Sequence, residues 1–256
     1  MYTKQQIFEI AMEQSATDNH CTMEDFLKPD HVMVDFALGE QARKYYKEPI
    51  TCNFVSYGSN IVVSVKPEYR ELVWKYLHKF EFYHCFETPS MNWLAEQLTP
   101  MGQKICFMAE YFLPDPDRLT VLSCDYEIKI LEQRDFSSLY RKEWSNALCE
   151  DRKELDVLGA GAYDNGKLIG LAACSADCDS MWQIGVDVLP EYRRKGIASA
   201  LTSRLAIEIL KRDKVPFYCC AWSNICSARN AIRSGFVPAW VEMTVKPAEI
   251  VDKMNE

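Results

Sequence analysis

This 256-residue chain has no apolar run approaching the ~20 residues that span a bilayer. Its opening Met1-Tyr2-Thr3-Lys4-Gln5-Gln6 leads into a mixed helical pattern rather than the apolar region of a signal peptide. A soluble, cytoplasmic protein with no membrane partner is expected. No basic tract offsets the formal net charge of −8, which argues against nucleic acid as a partner. Neither a Gly-x-x-x-x-Gly-Lys-Ser/Thr run nor a Gly-x-Gly-x-x-Gly turn is present, so the common nucleotide loops are excluded. Histidine is scarce, with only His20, His31, His78 and His84. Neither His84-Cys85 nor Cys174 with Cys178 gives the paired short spacings of a structural zinc site, and no metal is expected. The eleven cysteines are odd in number and scattered, which favours reduced thiols over a disulfide framework.

What is present suffices for a sizeable core. Apolar residues make up 48% of a chain long enough for two modest domains. The first half mixes helices and strands. Helices are predicted over 4–16, 68–79 and 89–98, with weaker helical character over 39–46. Strands are predicted over 51–57, 60–65 and 104–112, and Thr22 with Asp25 reads as a capped turn. Leu113-Pro114-Asp115-Pro116-Asp117 is the best boundary, because its two prolines remove donors and restrict their neighbours. Residues 1–117 therefore read as a small α/β domain of unassigned role, and 118–256 as a second domain.

The second domain has a regular order: strand 120–130, helix 135–148, then strands 156–163 and 167–174 around an Asn165-Gly166 hairpin turn. Strand 181–188 follows, with Trp182, Ile184, Val186 and Val188 on one face. Pro190 ends it, and Ile197, Leu201, Leu205 and Ile209 then mark the apolar stripe of a helix to about 212. Strand 216–222, helix 225–234 and strand 236–246 complete the chain. Gly196 and Ala198 stand where the long helix begins, so a ligand can approach the backbone and the first N–H groups can hold an anion.

The run Arg193-x-x-Gly196-x-Ala198, entered from a strand carrying Val186-x-Val188, resembles the acyl-CoA pyrophosphate loop of the GCN5-related N-acetyltransferases. Asn224-Ile225-Cys226-Ser227 followed by Gly235-Phe236 resembles that family's second signature. Pro216, Trp222, Asn224, Ser227 and Gly235-Phe236 together resemble a bacterial subgroup that includes the zwittermicin A resistance protein. The resemblance covers Tyr126 to Val245. It implies an α/β (α+β) acyl-CoA N-acyltransferase fold with a mixed central sheet, preceded by the smaller α/β domain.

By that resemblance the cofactor is acetyl-CoA (coenzyme A), and the reaction is direct attack of a small-molecule amine in a ternary complex. Backbone N–H groups of Arg194, Lys195, Gly196, Ile197 and Ala198 would surround the pyrophosphate, with Arg193 and Arg194 adding charge. The backbone of Val186 and Val188 would pair with the pantetheine amides. Asn224 would contact the cofactor or cap its helix, and Ser227 would cap or touch the pantetheine arm. Asp187, Asp179 and Asp177 are candidates for the acid that serves the amine, with Glu110 and Tyr111 further candidates if the first half closes over the site. Many members carry a tyrosine acid where this chain has Ala231, so a nearby Tyr, Cys or Ser substitutes or the thiolate leaves unprotonated. That gap permits an alternative, an idle acyl-CoA-binding regulatory or scaffold protein. For the first domain the expected roles are to wall the acceptor site or to support a homodimer.

Overall fold

The computed structural model describes residues 2–47 and 49–256. The first half contains α1 (Lys4–Asn19), β1 (Val32–Asp35), β2 (Cys52–Ser56), β3 (Val62–Val65), α2 (Arg70–Lys79), α3 (Thr88–Leu98) and β4 (Gln103–Pro114). The second half runs β5 (Glu127–Glu132), β6 (Asp156–Asp164), β7 (Lys167–Ser175), β8 (Met181–Val188) and α4 (Ile197–Leu210). It ends with β9 (Val215–Cys220), α5 (Ile225–Arg233), β10 (Phe236–Pro247) and α6 (Ala248–Lys253). No helix among the described residues is long and apolar enough to cross a membrane.

Two compact units result, each built from two segments. One joins the residues up to Ala11 with Tyr111–Ala239, and the other joins Met12–Glu110 with Trp240–Glu256. The sequence suggests a single boundary at 113–117, and the units trade their ends around it. The physical reason is strand pairing: Val241–Val245 of β10 run antiparallel to Ser56–Cys52 of β2 and so complete the sheet of the first-half unit.

That unit orders its strands β1-β3-β2-β10, with β1 parallel to β3 and the β2–β3 hairpin where the sequence places it. β1 carries no strong pattern in sequence and is a strand the reading misses. Phe54, Val63, Val73, Tyr76, Leu94 and Val245 fill its core. Arg43 is sunk there as well, 3.1 Å from Asp18 and 3.3 Å from Glu242, which also accepts from Tyr46 Oη at 2.6 Å and Trp240 Nε1 at 2.8 Å. A buried guanidinium with two carboxylates is tolerable only when hydrogen-bonded in this manner.

The other unit orders its strands β9-β8-β7-β6-β5. β5 to β8 form an antiparallel meander, and the β6–β7 turn has both Asn165 and Gly166 at positive φ, as an Asn-Gly hairpin turn requires. Ile197, Leu201, Leu205 and Ile209 of α4 are fully buried against this sheet, as their spacing predicts. The helix expected over 135–148 is corrected: this stretch is irregular, with short 3-10 turns at Gln133–Asp135 and Lys142–Trp144. Most of its N–H donors reach carbonyls three residues back, with only Leu148 N–H bonded four back to Trp144 O, and carboxylates take others. Asn146 and Ala147 N–H donate to Asp187, and Cys149 N–H to Asp156. Phe136, Trp144 and Leu148 remain buried as expected, through side-chain packing alone. The strand expected from 120 begins only at Glu127.

Candidate functional site

β8 and β9 run parallel and separate. Their paired positions are Met181–Val215, Trp182–Pro216 and Gln183–Phe217, while β8 continues to Val188 and β9 to Cys220. Beyond Gln183 the two strands form a fork. Leu189 N–H bonds to Ile169 O of β7 at 3.0 Å, so by strand alternation Asp187 and Gly185 also address β7. The N–H and C=O groups of Val186 and Val188 consequently face the open side of the fork. Their side chains pack on the core.

After β8 the chain turns through Pro190–Tyr192 and enters α4 by an unusual route. Arg194 and Gly196 are both left-handed, with φ of 65° and 77°. A β-carbon built on Gly196 would meet nothing within 4 Å, so the glycine fronts open space. The first bond of the helix runs from Ala200 N to Gly196 O at 3.0 Å, and the N–H groups before it point out of the helix end. Alternating left-handed residues turn successive N–H groups inward, a concave shape suited to anions.

A cleft of about 360 Å³ opens on this corner. Its walls include Val188, Arg193, Arg194, Gly196, Ile197 and Ala198, six of the residues singled out in sequence. Arg193 Nε donates to Val188 O at 3.0 Å, which ties the loop to the fork's edge. The remaining expected residues lie outside the cleft lining. Lys195 is drawn aside, with Nζ 3.1 Å from Tyr126 Oη and 5.0 Å from the Tyr192 ring centroid. Asn224 caps α5 by accepting from Ser227 N at 3.2 Å. Ser227 Oγ lies 2.7 Å from Tyr218 Oη.

The sequence reading misses Arg229 and Arg233, which also line the cleft. Their i, i+4 spacing on α5 puts both on one face, and that spacing was the available signal. None of Arg193, Arg194, Arg229 and Arg233 has a carboxylate within ion-pair distance among the described residues. Four positive charges thus meet at one cleft of a chain whose net charge is −8.

The three acids considered for catalysis are not brought together. Asp187 accepts from Asn146 N at 2.9 Å, Asn146 Nδ2 at 2.7 Å and Ala147 N at 3.0 Å, so its carboxylate pins the 142–148 turn to β8. Asp177 is buried and ion-paired with Arg152. Asp179 is exposed. Asp177 and Asp179 precede β8, whereas Asp187 is near its far end, roughly 20 Å along the strand at ~3.3 Å per residue.

A family model described as GNAT acetyltransferase matches residues 102–238. No curated protein matches the sequence. Several solved structures are similar. A GCN5-related N-acetyltransferase-like protein from Streptococcus suis is 17% identical, over 77% of this chain and 83% of its own, with a TM-score of 0.47. A GCN5-related N-acetyltransferase from Kribbella flavida is 15% identical, over 62% of this chain and 64% of its own, with a TM-score of 0.43. An aminoglycoside N-acetyltransferase in complex with CoA is 19% identical, over 47% of this chain and 93% of its own, with a TM-score of 0.36. The chain spans less than two thirds of the length of several of the solved structures it matches.

Proposed function

Since this chain belongs to the GNAT acetyltransferase family, we propose that it moves an acetyl group from acetyl-CoA to an amine of a small molecule, by direct attack in a ternary complex. One observation carries the reading: a forked pair of parallel strands opens beside a loop whose left-handed Arg194 and Gly196 front a four-arginine cleft. Each part fits a portion of the acyl donor. The helix end and the left-handed loop supply N–H groups for the pyrophosphate, reinforced by a helix dipole worth about 0.3–1 kcal/mol at an exposed site. The edge of β8 offers the Val186 and Val188 backbone to the pantetheine amides. Arg229 and Arg233 supply charge beyond what a diphosphate needs and are assigned to the 3′-phosphate of the nucleotide.

Of the three acids, Asp179 is the most exposed and the one with no hydrogen bond or ion pair among the described residues, and it is assigned to attract the ammonium form of the acceptor. Asp187 and Asp177 are assigned to holding the surrounding turns, because their carboxylates are committed to Asn146, Ala147 and Arg152. The bacterial subgroup that includes the zwittermicin A resistance protein and the cytoplasmic location belong to this proposal as expectations.

A second reading has one observation in its favour. Ala231, fully buried on α5, presents no hydroxyl where many family members place an acid, which suits an acyl-CoA binder without turnover. Calorimetric titration of the reduced protein with acetyl-CoA, followed by a thiol-release assay over a panel of amines, separates the two. Binding with acceptor-dependent release supports the transferase, binding without release across the panel supports the idle binder, and no binding overturns both.

A further inference from the structure

The gap at Ala231 directs attention to the hydroxyl groups nearest the fork. Tyr218 is the first residue of β9 past the last paired position, Gln183–Phe217, and so stands where the strands part. Its ring belongs to the core cluster that includes Ala231 and Phe236, and its Oη lies 2.7 Å from Ser227 Oγ. Ser227 is on the first turn of α5, one turn before Ala231 and on the same face. It is half-buried where Tyr218 is almost wholly buried. On the next turn of α5 the Asn230 amide is engaged elsewhere, its oxygen accepting from Ser199 Oγ at 3.0 Å and its nitrogen donating to Thr202 Oγ1 at 3.1 Å.

We propose that Ser227, positioned by Tyr218, is the hydrogen-bond donor to the departing thiolate, replacing a side chain that Ala231 cannot supply. This rests on the acetyl-CoA reading above. Of the two hydroxyls the phenol is the stronger donor, and Ser227 Oγ is its one hydrogen-bond partner among the described residues, so the Tyr218 proton is directed to Ser227 Oγ and the Ser227 proton is left for a ligand. Burial raises the Tyr218 phenol above its ordinary range, which keeps it protonated and in this role at neutral pH. The bond changes balance. The acceptor nitrogen forms a C–N bond with the thioester carbonyl carbon and the C–S bond breaks, its electron pair passing to sulfur. The Ser227 O–H stabilises that charge, the proton lost from the attacking nitrogen goes to water, and the thiolate takes a proton from water after release. A donor aimed at charge that develops only during the reaction accelerates it without tightening ground-state binding.

Three substitutions test this: Ser227→Ala, Ser227→Thr and Tyr218→Phe. The first readout needs no acceptor. The thiol of bound CoA is titrated through its ultraviolet thiolate absorbance, with desulfo-CoA as blank. A donor to the thiolate lowers that pKa, so the parent and Ser227→Thr should titrate about one unit below Ser227→Ala and Tyr218→Phe. The second readout is steady-state kinetics. Removing one hydrogen bond to a charged atom should lower kcat by about tenfold to a hundredfold while KM for acetyl-CoA changes less than about threefold, with Ser227→Thr restoring most of the rate. An unshifted thiol titration in Ser227→Ala, or unimpaired turnover, overturns the proposal. A parent protein that binds no CoA would overturn the acetyl-CoA reading itself, before any variant is made. Should Tyr218→Phe fail to fold, the Ser227 pair decides the matter alone.

Discussion

Asp187 offers the sharpest separation of a structural from a chemical role. Its carboxylate accepts three hydrogen bonds at 2.7–3.0 Å from Asn146 and Ala147, across the face of β8 opposite the core. Hydrogen bonds to a charged group contribute about 1.5–3 kcal/mol each when removed, but this carboxylate is half-exposed and water replaces part of the loss. Asp187→Ala is therefore expected to cost about 2–4 kcal/mol, or roughly 5–15 °C in melting temperature for a protein of this size. Asp187→Asn keeps an oxygen for the two main-chain donors, and the Asn146 amide can turn to meet the new NH₂. It should cost about 1 kcal/mol and leave turnover within about threefold of the parent. Gly185 supplies an internal check. An added β-carbon there would lie 1.9 Å from Asn146 O, a main-chain atom in the turn that Asp187 holds. Gly185→Ala should destabilise at least as much as Asp187→Ala, and the double variant should fall short of the sum, since both release the same turn. Thermal melts and thiol-release kinetics on the same samples check all four. An Asp187→Asn protein with unchanged melting and a tenfold loss of turnover would refute the holding role and return this acid to the chemistry.

Gly196→Val should weaken acetyl-CoA binding at least tenfold by calorimetry, because a branched side chain then fills the space before the loop and resists a φ of 77°. Left-handed strain of about 1–2 kcal/mol should lower melting only modestly. Arg229→Ala and Arg233→Ala should each reduce the preference for CoA over 3′-dephospho-CoA, measured by competition, while equal losses for both nucleotides would remove these arginines from the 3′-phosphate. The Asp156 carboxyl is pushed up to about 6, chiefly by burial, against a hydrogen bond from Cys149 N–H. The folded chain then binds its proton more tightly than the unfolded one, so its contribution to stability is complete below about pH 4 and is lost as pH rises through 6. Asp156→Asn should flatten the denaturation midpoint between pH 4 and 7, and an unchanged profile would contradict the shift.

The second half of the chain was largely legible because its signals are local. The Asn165-Gly166 turn fixes a hairpin through backbone conformations that few other residues adopt, and the four-residue spacing of Ile197 to Ile209 can bury only one helical face. The turn from Arg193 to Ala198 was legible for the same reason: a glycine marks a left-handed entry and the apolar stripe marks where the helix starts. Residues 135–148 show where this ends. Their apolar spacing suits a helix, yet the chain settles into three-residue turns, and Asp187, about forty residues on, takes the Asn146 and Ala147 N–H groups.

By itself, then, the sequence determined the strands and helices that follow their own periodicity, the glycine turn that opens α4, and the absence of a hydroxyl at position 231. Tertiary structure alone decided what its polar side chains do. Arg229 and Arg233 became part of the cleft only when α5 came beside α4, Asp187 became a clamp when the 142–148 turn crossed Gly185, and Arg43 found Asp18 and Glu242 from opposite ends of the chain. Periodicity reports which face of an element avoids water. A hydrogen bond or ion pair depends on which partner arrives within about 3 Å, and only the folded chain sets that.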